Sequence, residues 1–360
     1  MLPRERMLTA MNLKQPDRVP LWEMGFNEES IINIAKHFTS NLPPLKHVSH
    51  MTLEEKILLF EGICTIIESL DLDGVTLLPL GPREVLSDNL IRDGIGIVYR
   101  LSDHGEPFPV EGPIKSEADL RGFSLGSPNA GELVGLQYAL QKFEGKRAMV
   151  FLTPGPFRLS WGLRGGMEHL LADYLLQPKL AHALARIVTD YYKEFHAMAI
   201  DAGAEIIALE GDLAFNTNTL MSPAQYAEFL APYHKEIVDN VHKKGGKIFK
   251  HSDGNLWPIL DMLLGCGFDG IHPIQPQCMD IGEVKEHLRG RACVLGNIDC
   301  MYVLPDGTIE QVEQTVKDTI KAAAPGGGYI MSSSNSVHPG CKPENYIAMV
   351  HAAHKYGVYE

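Results

Sequence analysis

Eight short runs of β-forming residues recur along this 360-residue chain, each with turn residues behind it and helix-like segments between most of them. The runs fall at 20–25, 74–78, 149–155, 205–211, 246–254, 270–275, 292–299 and 328–335. Strands alternating with helices build a parallel sheet covered by helices, and eight such units close a (β/α)8 TIM barrel. Three intervening segments read as helices. Residues 52–70 place apolar side chains three and four apart. Residues 167–200 do the same, with Pro178 expected to interrupt them. Residues 222–244 open on Ser222-Pro223, an N-cap followed by proline at the first helical position. Residues 1–19 read as an N-terminal helical extension. Residues 81–112 hold the turn signals Gly81-Pro82, Asp93-Gly94 and His104-Gly105 around an alternating run at 95–101, and are expected to form a β-hairpin insertion. The whole chain, 1–360, is read as one α/β barrel domain.

An open, nucleotide-binding sheet would need a glycine-rich phosphate turn after an early strand. Neither GxGxxG nor GxxxxGK[ST] occurs, and Gly326-Gly327-Gly328 leads into a β run instead of opening a helix. With 32 Lys and Arg against 45 Asp and Glu, the net charge of −13 argues against nucleic acid and against an anionic membrane as partners. The six cysteines lack CxxC pairing, which fits a reducing compartment better than a disulfide framework. The N-terminal residues lack a signal peptide's apolar core, and no apolar run reaches the ~20 residues that span a bilayer. A cytoplasmic enzyme, alone or as a homodimer, is the expectation.

Barrel active sites gather where the strands end, and here those ends are polar. The first run carries Glu23, then Asn27; the fourth ends in Glu210 and Asp212, and the fifth in His251 and Asp253. The eighth runs into Asn335, followed by His338 and Cys341. Together Glu210, His251, His338 and Cys341, with Asp212 and Asp253, hold every ligand type that Zn²⁺ accepts. Each has a plainer alternative: a carboxylate bonding backbone or water, a structural histidine, a cysteine filling space. His251 with an aspartate two residues on stands above a lone histidine, and one of Glu210 and Asp212 is expected in the site. Phe157 and Trp161, after the third run, are expected to wall a pocket for substrate with Glu23, Asn27 and Asn335. Asp71 and Asp73 are expected to cap or turn.

Several segments carry a family resemblance. Arg4-Glu-Arg-Met-Leu-Thr-Ala-Met11 with Pro16-Asp-Arg-Val-Pro20 forms the opening. Leu220-Met-Ser-Pro-Ala-Gln-Tyr226, Pro232-Tyr233 and His251-Ser-Asp-Gly254 form the middle. Pro343-Glu-Asn345 and Tyr356-Gly form the end. In this order, over essentially the whole chain, they resemble the uroporphyrinogen decarboxylase superfamily. The resemblance implies a barrel, and an activity that is either decarboxylation or corrinoid-linked methyl transfer. The decarboxylases carry an arginine-rich loop after the first strand and an essential aspartate after the second. The matching stretches here are Trp22-Glu-Met-Gly-Phe-Asn27 and Leu77-Leu-Pro-Leu80, with neither arginine nor aspartate. A substrate bearing eight carboxylates needs cationic clamps, so true uroporphyrinogen decarboxylation is disfavoured.

The superfamily's methyltransferases use zinc. Those that methylate coenzyme M carry His-x-Cys, whereas this chain has His251-Ser-Asp253. Oxygen in place of sulfur suits Lewis-acid activation of an oxygen-bound methyl better than thiolate chemistry. The resemblance then implies an O-demethylase methyltransferase. It would take methyl from a methoxylated aromatic, or another small methylated compound, to a corrinoid protein. Zinc would be held by His251, Glu210 and either His338 or Cys341, with Asp212 or Asp253 as the catalytic carboxylate. No cobalamin-binding Asp-x-His-x-x-Gly motif occurs, so the corrinoid is expected on a partner. A lyase acting on a smaller acid, a methylcorrinoid:thiol methyltransferase and a tetrapyrrole-binding protein are the alternatives.

Overall fold

The structure, a computed structural model, describes residues 1–102 and 107–359. The expected turn at His104-Gly105 lies outside them. The chain builds one seven-stranded parallel sheet and one four-stranded antiparallel sheet. In chain order the strands are β1 (Gly74–Leu77), β2 (Arg83–Ser87), β3 (Leu90–Asp93), β4 (Val98–Leu101), β5 (Pro107–Glu111), β6 (Ala148–Pro154), β7 (Ile206–Glu210), β8 (Lys247–His251), β9 (Gly270–His272), β10 (Cys293–Leu295) and β11 (Tyr329–Ile330). The parallel sheet runs β1-β6-β7-β8-β9-β10-β11, the neighbour order of a barrel wall.

The run at 20–25, expected as the first barrel strand, is not a ladder strand. It makes isolated contacts that join the two sheet edges. Met331 N donates to Pro20 O at 2.9 Å and Trp22 N to Met331 O at 3.0 Å. On the other side Asp73 N donates to Leu21 O at 2.7 Å. Pro20 has no N–H to give a ladder, so the segment bridges where a strand would pair continuously. The insertion is likewise more than one hairpin: β2, β3, β4 and β5 form an antiparallel meander.

Strand alternation divides the apolar residues between two cores. Ala148, Val150, Ile206, Ala208, Phe249, Cys293 and Leu295 share the inner cluster with Trp22, Met7 and Met11. Their neighbours Met149, Phe151, Ile207, Leu209 and Ile248 face the helices in the larger cluster. The N-terminal helix Pro3–Met11 therefore supplies part of the inner core through Met7, Ala10 and Met11.

The helices begin and end where the chain's capping chemistry places them. Thr52 and Glu55 form a reciprocal capping box on Leu53–Ser69. Pro178 separates Met167–Leu176 from Pro178–Asp201. Ser222 caps Pro223–Phe229, and a second break at Leu230 precedes Ala231–Lys243. Asp73, expected only to cap or turn, is fully buried and takes Arg6 Nη1, Arg18 Nη1 and Leu21 N at 2.5, 3.3 and 2.7 Å. All six cysteines are free, and no helix among the described residues is long and apolar enough to cross a membrane.

Candidate metal centre at the barrel mouth

The apolar strands β7 and β8 end in chemistry-bearing residues. After Glu210 the chain turns at Gly211, whose φ of +133° favours glycine; a Cβ there would lie 2.9 Å from Arg158 Cβ. This turn presents Asp212. Beside it β8 ends at His251, followed by Ser252 and Asp253. His251 and His272 are direct partners in the parallel register of β8 and β9.

That register sets up a chain of hydrogen bonds with a defined direction. Ser332 Oγ donates its one proton to Ser333 O at 2.8 Å, so it accepts from His272 Nε2–H at 3.1 Å. Burial holds the His272 imidazole well below its ordinary pKa, with the neighbouring His251 adding to the effect. Burial, then the Lys250 charge, depresses His251 to about 3. Both rings are therefore neutral near pH 7. With its proton on Nε2, His272 accepts at Nδ1 from His251 Nδ1–H, 2.8 Å away. His251 Nε2 is left as a bare lone pair, 3.7 Å from Asp212 Oδ1.

The carboxylates around this nitrogen are held by their neighbours. Asp212 Oδ1 accepts the Asp253 N–H at 2.9 Å. Asp253 Oδ2 accepts from Asn335 Nδ2 at 2.5 Å, whereas its Oδ1 is buried without a partner. Burial and then the Asp212 charge push the Asp253 carboxyl up to about 8. Loss of hydration raises Glu210 as well, opposed by Arg158. Lys250 is buried in the same strand end, where Nζ donates to the carbonyls of Leu209 at 3.3 Å, Gly211 at 2.6 Å, and His251.

Asp212, His251 and Asp253 each offer a ligand atom, and all three atoms lie within 4.8 Å of one another. No other group of three or more His, Cys, Asp or Glu side chains among the described residues meets that test. One imidazole nitrogen and two carboxylates suit zinc or another borderline divalent cation. The bare His251 nitrogen and the unpartnered Asp253 oxygen are the groups such an ion would satisfy.

The remaining expected site residues fall into separate places. Glu210 stands beside Arg158, with Nε 3.7 Å from Oε1. His338 and Cys341 do not join the trio: His338 Nε2 and Cys341 Sγ both donate to the Cys300 carbonyl, at 2.7 and 3.6 Å. The tight turn at 338–341 directs both side chains back onto that one oxygen, and Gly340 N donates to His338 Nδ1 at 3.1 Å. Glu23 is buried on Ser333, accepting its N–H at 3.1 Å. Asn27 flanks the helix Glu28–Ala35 as its N-cap residue. Phe157 lies in the main core, only 1% exposed, while Trp161 lies under the Arg158 guanidinium. Sequence reasoning places His272 and Ser332 among the polar residues of the sixth and eighth runs but gives them no role, and it passes over Lys250 and Arg158. The available signals were the histidine closing the neighbouring strand run and a lysine inside the apolar run Ile248-Phe249-Lys250.

The family model described as uroporphyrinogen decarboxylase (URO-D) matches residues 91–356. Among curated relatives, the uroporphyrinogen decarboxylase of Myxococcus xanthus is 28% identical over 98% of this chain and 97% of its own length. That of Idiomarina loihiensis is 21% identical over 99% and 96%. Among solved structures, a methyltransferase from Methanosarcina mazei superposes with a TM-score of 0.76 at 19% identity, covering 99% of both chains. A B12-independent methionine synthase from Shewanella gives 0.54 at 14% identity, covering 94% of this chain and 98% of that one.

Proposed function

Because this chain belongs to the uroporphyrinogen decarboxylase (URO-D) family, whose model spans most of it, we propose a function within that family's fold. The protein is a zinc-dependent methyltransferase. It moves a methyl group from a small methylated compound, foremost a methoxylated aromatic, to a corrinoid carried by a partner protein. The observation that carries this reading is the metal-ready trio: His251, with its bare Nε2 3.7 Å from Asp212, and Asp212 and Asp253, each offering a ligand atom within 4.8 Å of the others. A lone pair and two carboxyl groups gathered this closely are stabilised by a divalent cation among them.

When bound, zinc supplies Lewis acidity toward the oxygen of a methyl ether. The chain's own residues do the rest. His251 presents Nε2, with its ring fixed by His272 and Ser332. Asp253, tethered by Asn335, would release its proton to bind the ion, and with Asp212 would supply the negative charge that holds it. Asp212, about half exposed, is also placed to exchange the leaving oxygen's proton with solvent. Glu210 borders the trio, while His338 and Cys341 stay with Cys300. The corrinoid is the methyl acceptor and arrives on a separate protein.

The relatives' names favour a second reading, decarboxylation of a porphyrinogen. Residues 22–27 count against it: Trp22 is buried, Glu23 is spent on Ser333, and no arginine is present. At 77–80, Leu78 and Leu80 are exposed where that chemistry needs an acid.

The deciding experiment combines metal content with turnover. Mass spectrometry on wild type and His251→Ala should find about one zinc per chain, lost in the variant. The zinc protein with reduced corrinoid partner should then demethylate members of a methoxyarene panel. Absence of zinc after reconstitution, or release of CO2 from a porphyrinogen without corrinoid, overturns the reading.

A further inference from the structure

Two cations flank the carboxylates at the ends of β7 and β8. Lys250 is spent on three backbone carbonyls. Arg158, in the first turn of the helix Pro156–Arg164, is not spent. Its nearest carboxylate contact is Nε to Glu210 Oε1 at 3.7 Å, beyond hydrogen-bond reach. Among the described residues nothing accepts a hydrogen bond from its guanidinium. The more deeply buried arginines Arg6, Arg18, Arg147 and Arg164 each donate to an aspartate. Arg158 is only 23% exposed, yet it leaves both Nη atoms unbonded.

Its position is nevertheless fixed. The guanidinium carbon lies 4.0 Å from the centroid of Trp161, a cation–π seat that restrains the side chain. At the other end, its Cβ packs against Gly211, the residue between Glu210 and Asp212, so closely that a Cβ on Gly211 would lie 2.9 Å away. A seated guanidinium with a free Nη pair, next to Glu210 and the Gly211 turn that presents Asp212, matches a planar anion in geometry and charge.

We infer that Arg158 is the anion-recognising group of this mouth, and that the methylated substrate carries a carboxylate which the Nη pair grips. A counter-ion serving Glu210 alone would close to hydrogen-bond distance. Here the guanidinium stands off and keeps its fork free. The inference rests on the methyl-transfer reading for the methylated part of the ligand. The anion site itself rests on Arg158, Trp161 and Gly211.

Calorimetric titration of the zinc-loaded protein tests it, with 4-methoxybenzoate and the neutral 4-methoxybenzyl alcohol as ligands. Wild type should bind the acid about tenfold or more tighter than the alcohol. Arg158→Gln should erase that preference, the acid losing about tenfold or more affinity relative to the alcohol. Arg158→Lys keeps a positive charge opposite Glu210 but lacks the fork, so it should keep only part of the preference. Thermal melting establishes that both variants fold, and Arg158→Lys alone decides if the glutamine variant does not. An acid that fails to bind wild type, an acid bound no better than the alcohol, or a full preference retained in the folded variants overturns the proposal. The titration reads no methyl transfer. A protein that binds the acid through Arg158 and demethylates nothing would overturn the proposed function and leave this site standing.

Discussion

The Nδ1 atoms of His251 and His272 lie 2.8 Å apart at the matched ends of β8 and β9. One ring must donate and the other accept, and Ser332 decides which by accepting a hydrogen bond from His272 Nε2–H. His272 touches no proposed ligand atom, but it determines which nitrogen of His251 is free. His272→Leu fills the buried space of the ring but carries no acceptor for His251 Nδ1–H, and thermal melting checks that the variant folds. It should weaken zinc binding about ten- to hundredfold. Competition with a chromophoric chelator measures the affinity, and long-range proton–nitrogen spectra of wild type should show His251 protonated at Nδ1. Unchanged affinity in the leucine variant would remove His272 from the account.

Lys250 makes a second prediction. Its ammonium ties together the carbonyls of Leu209, Gly211 and His251, the backbone that carries the proposed ligands. Lys250→Met preserves the length of the side chain and deletes the donor. Each stranded buried carbonyl costs on the order of 1–3 kcal/mol. Urea unfolding should therefore show a loss of about 3 kcal/mol or more, together with weaker zinc binding. A variant as stable as wild type would mean that water replaces the ammonium at no cost.

Asp73 anchors the opposite end of the barrel. It receives Arg6, Arg18 and the Leu21 N–H from the segment that joins the sheet edges. Asp73→Ala leaves the Arg6 guanidinium buried with only Asp17 to pair. Breaking a buried pair from one side costs about 3–5 kcal/mol. The expected result is a large drop in unfolding free energy with zinc stoichiometry intact in the fraction that folds. A small drop would show that Asp17 suffices.

The parallel strands were legible because β1 and β6 to β11 coincide with continuous apolar runs bounded by turn residues. The run at 20–25 looked the same to that criterion. Only the missing N–H of Pro20 and its isolated contacts distinguish it from a ladder strand. In the insertion, β2 is exposed at every residue, so no burial period marks it as a strand. His251 and Asp253 were legible from their place behind a strand. The role of His272 depends on strand register, which a single sequence does not fix. His338 and Cys341 come eight and eleven residues after β11, against two for Asp253 after β8, and the turn at 338–341 sends them to Cys300. Nearness along the chain to a strand end places a residue at the mouth without saying which side chains meet there.

Glu23 gives a pH prediction whose sign can be worked out from its proton count. Ser333 Oγ bonds both Glu23 Oε2, at 2.6 Å, and the Asn335 carbonyl, yet it owns one proton. That proton goes to the carbonyl, which can only accept, so Glu23 must bring its own to the Ser333 oxygen. Burial accordingly raises the Glu23 carboxyl from 4.5 to about 8, against the pull of the Ser333 hydrogen bonds. Between these values the folded protein holds a proton that the unfolded chain releases. Stability attributable to this group is therefore full below about pH 4.5 and declines as pH rises toward 8, by up to about 1.4 kcal/mol per pH unit. Glu23→Gln copies the protonated acid, its amide donating to Ser333 Oγ and its carbonyl accepting the Ser333 N–H. Unfolding free energies at pH 5, 6, 7 and 8 should diverge, with wild type losing ground to the glutamine variant at each step. Parallel curves would mean that Glu23 is ionised in the folded protein, and that the Ser333 hydroxyl turns toward it instead of Asn335.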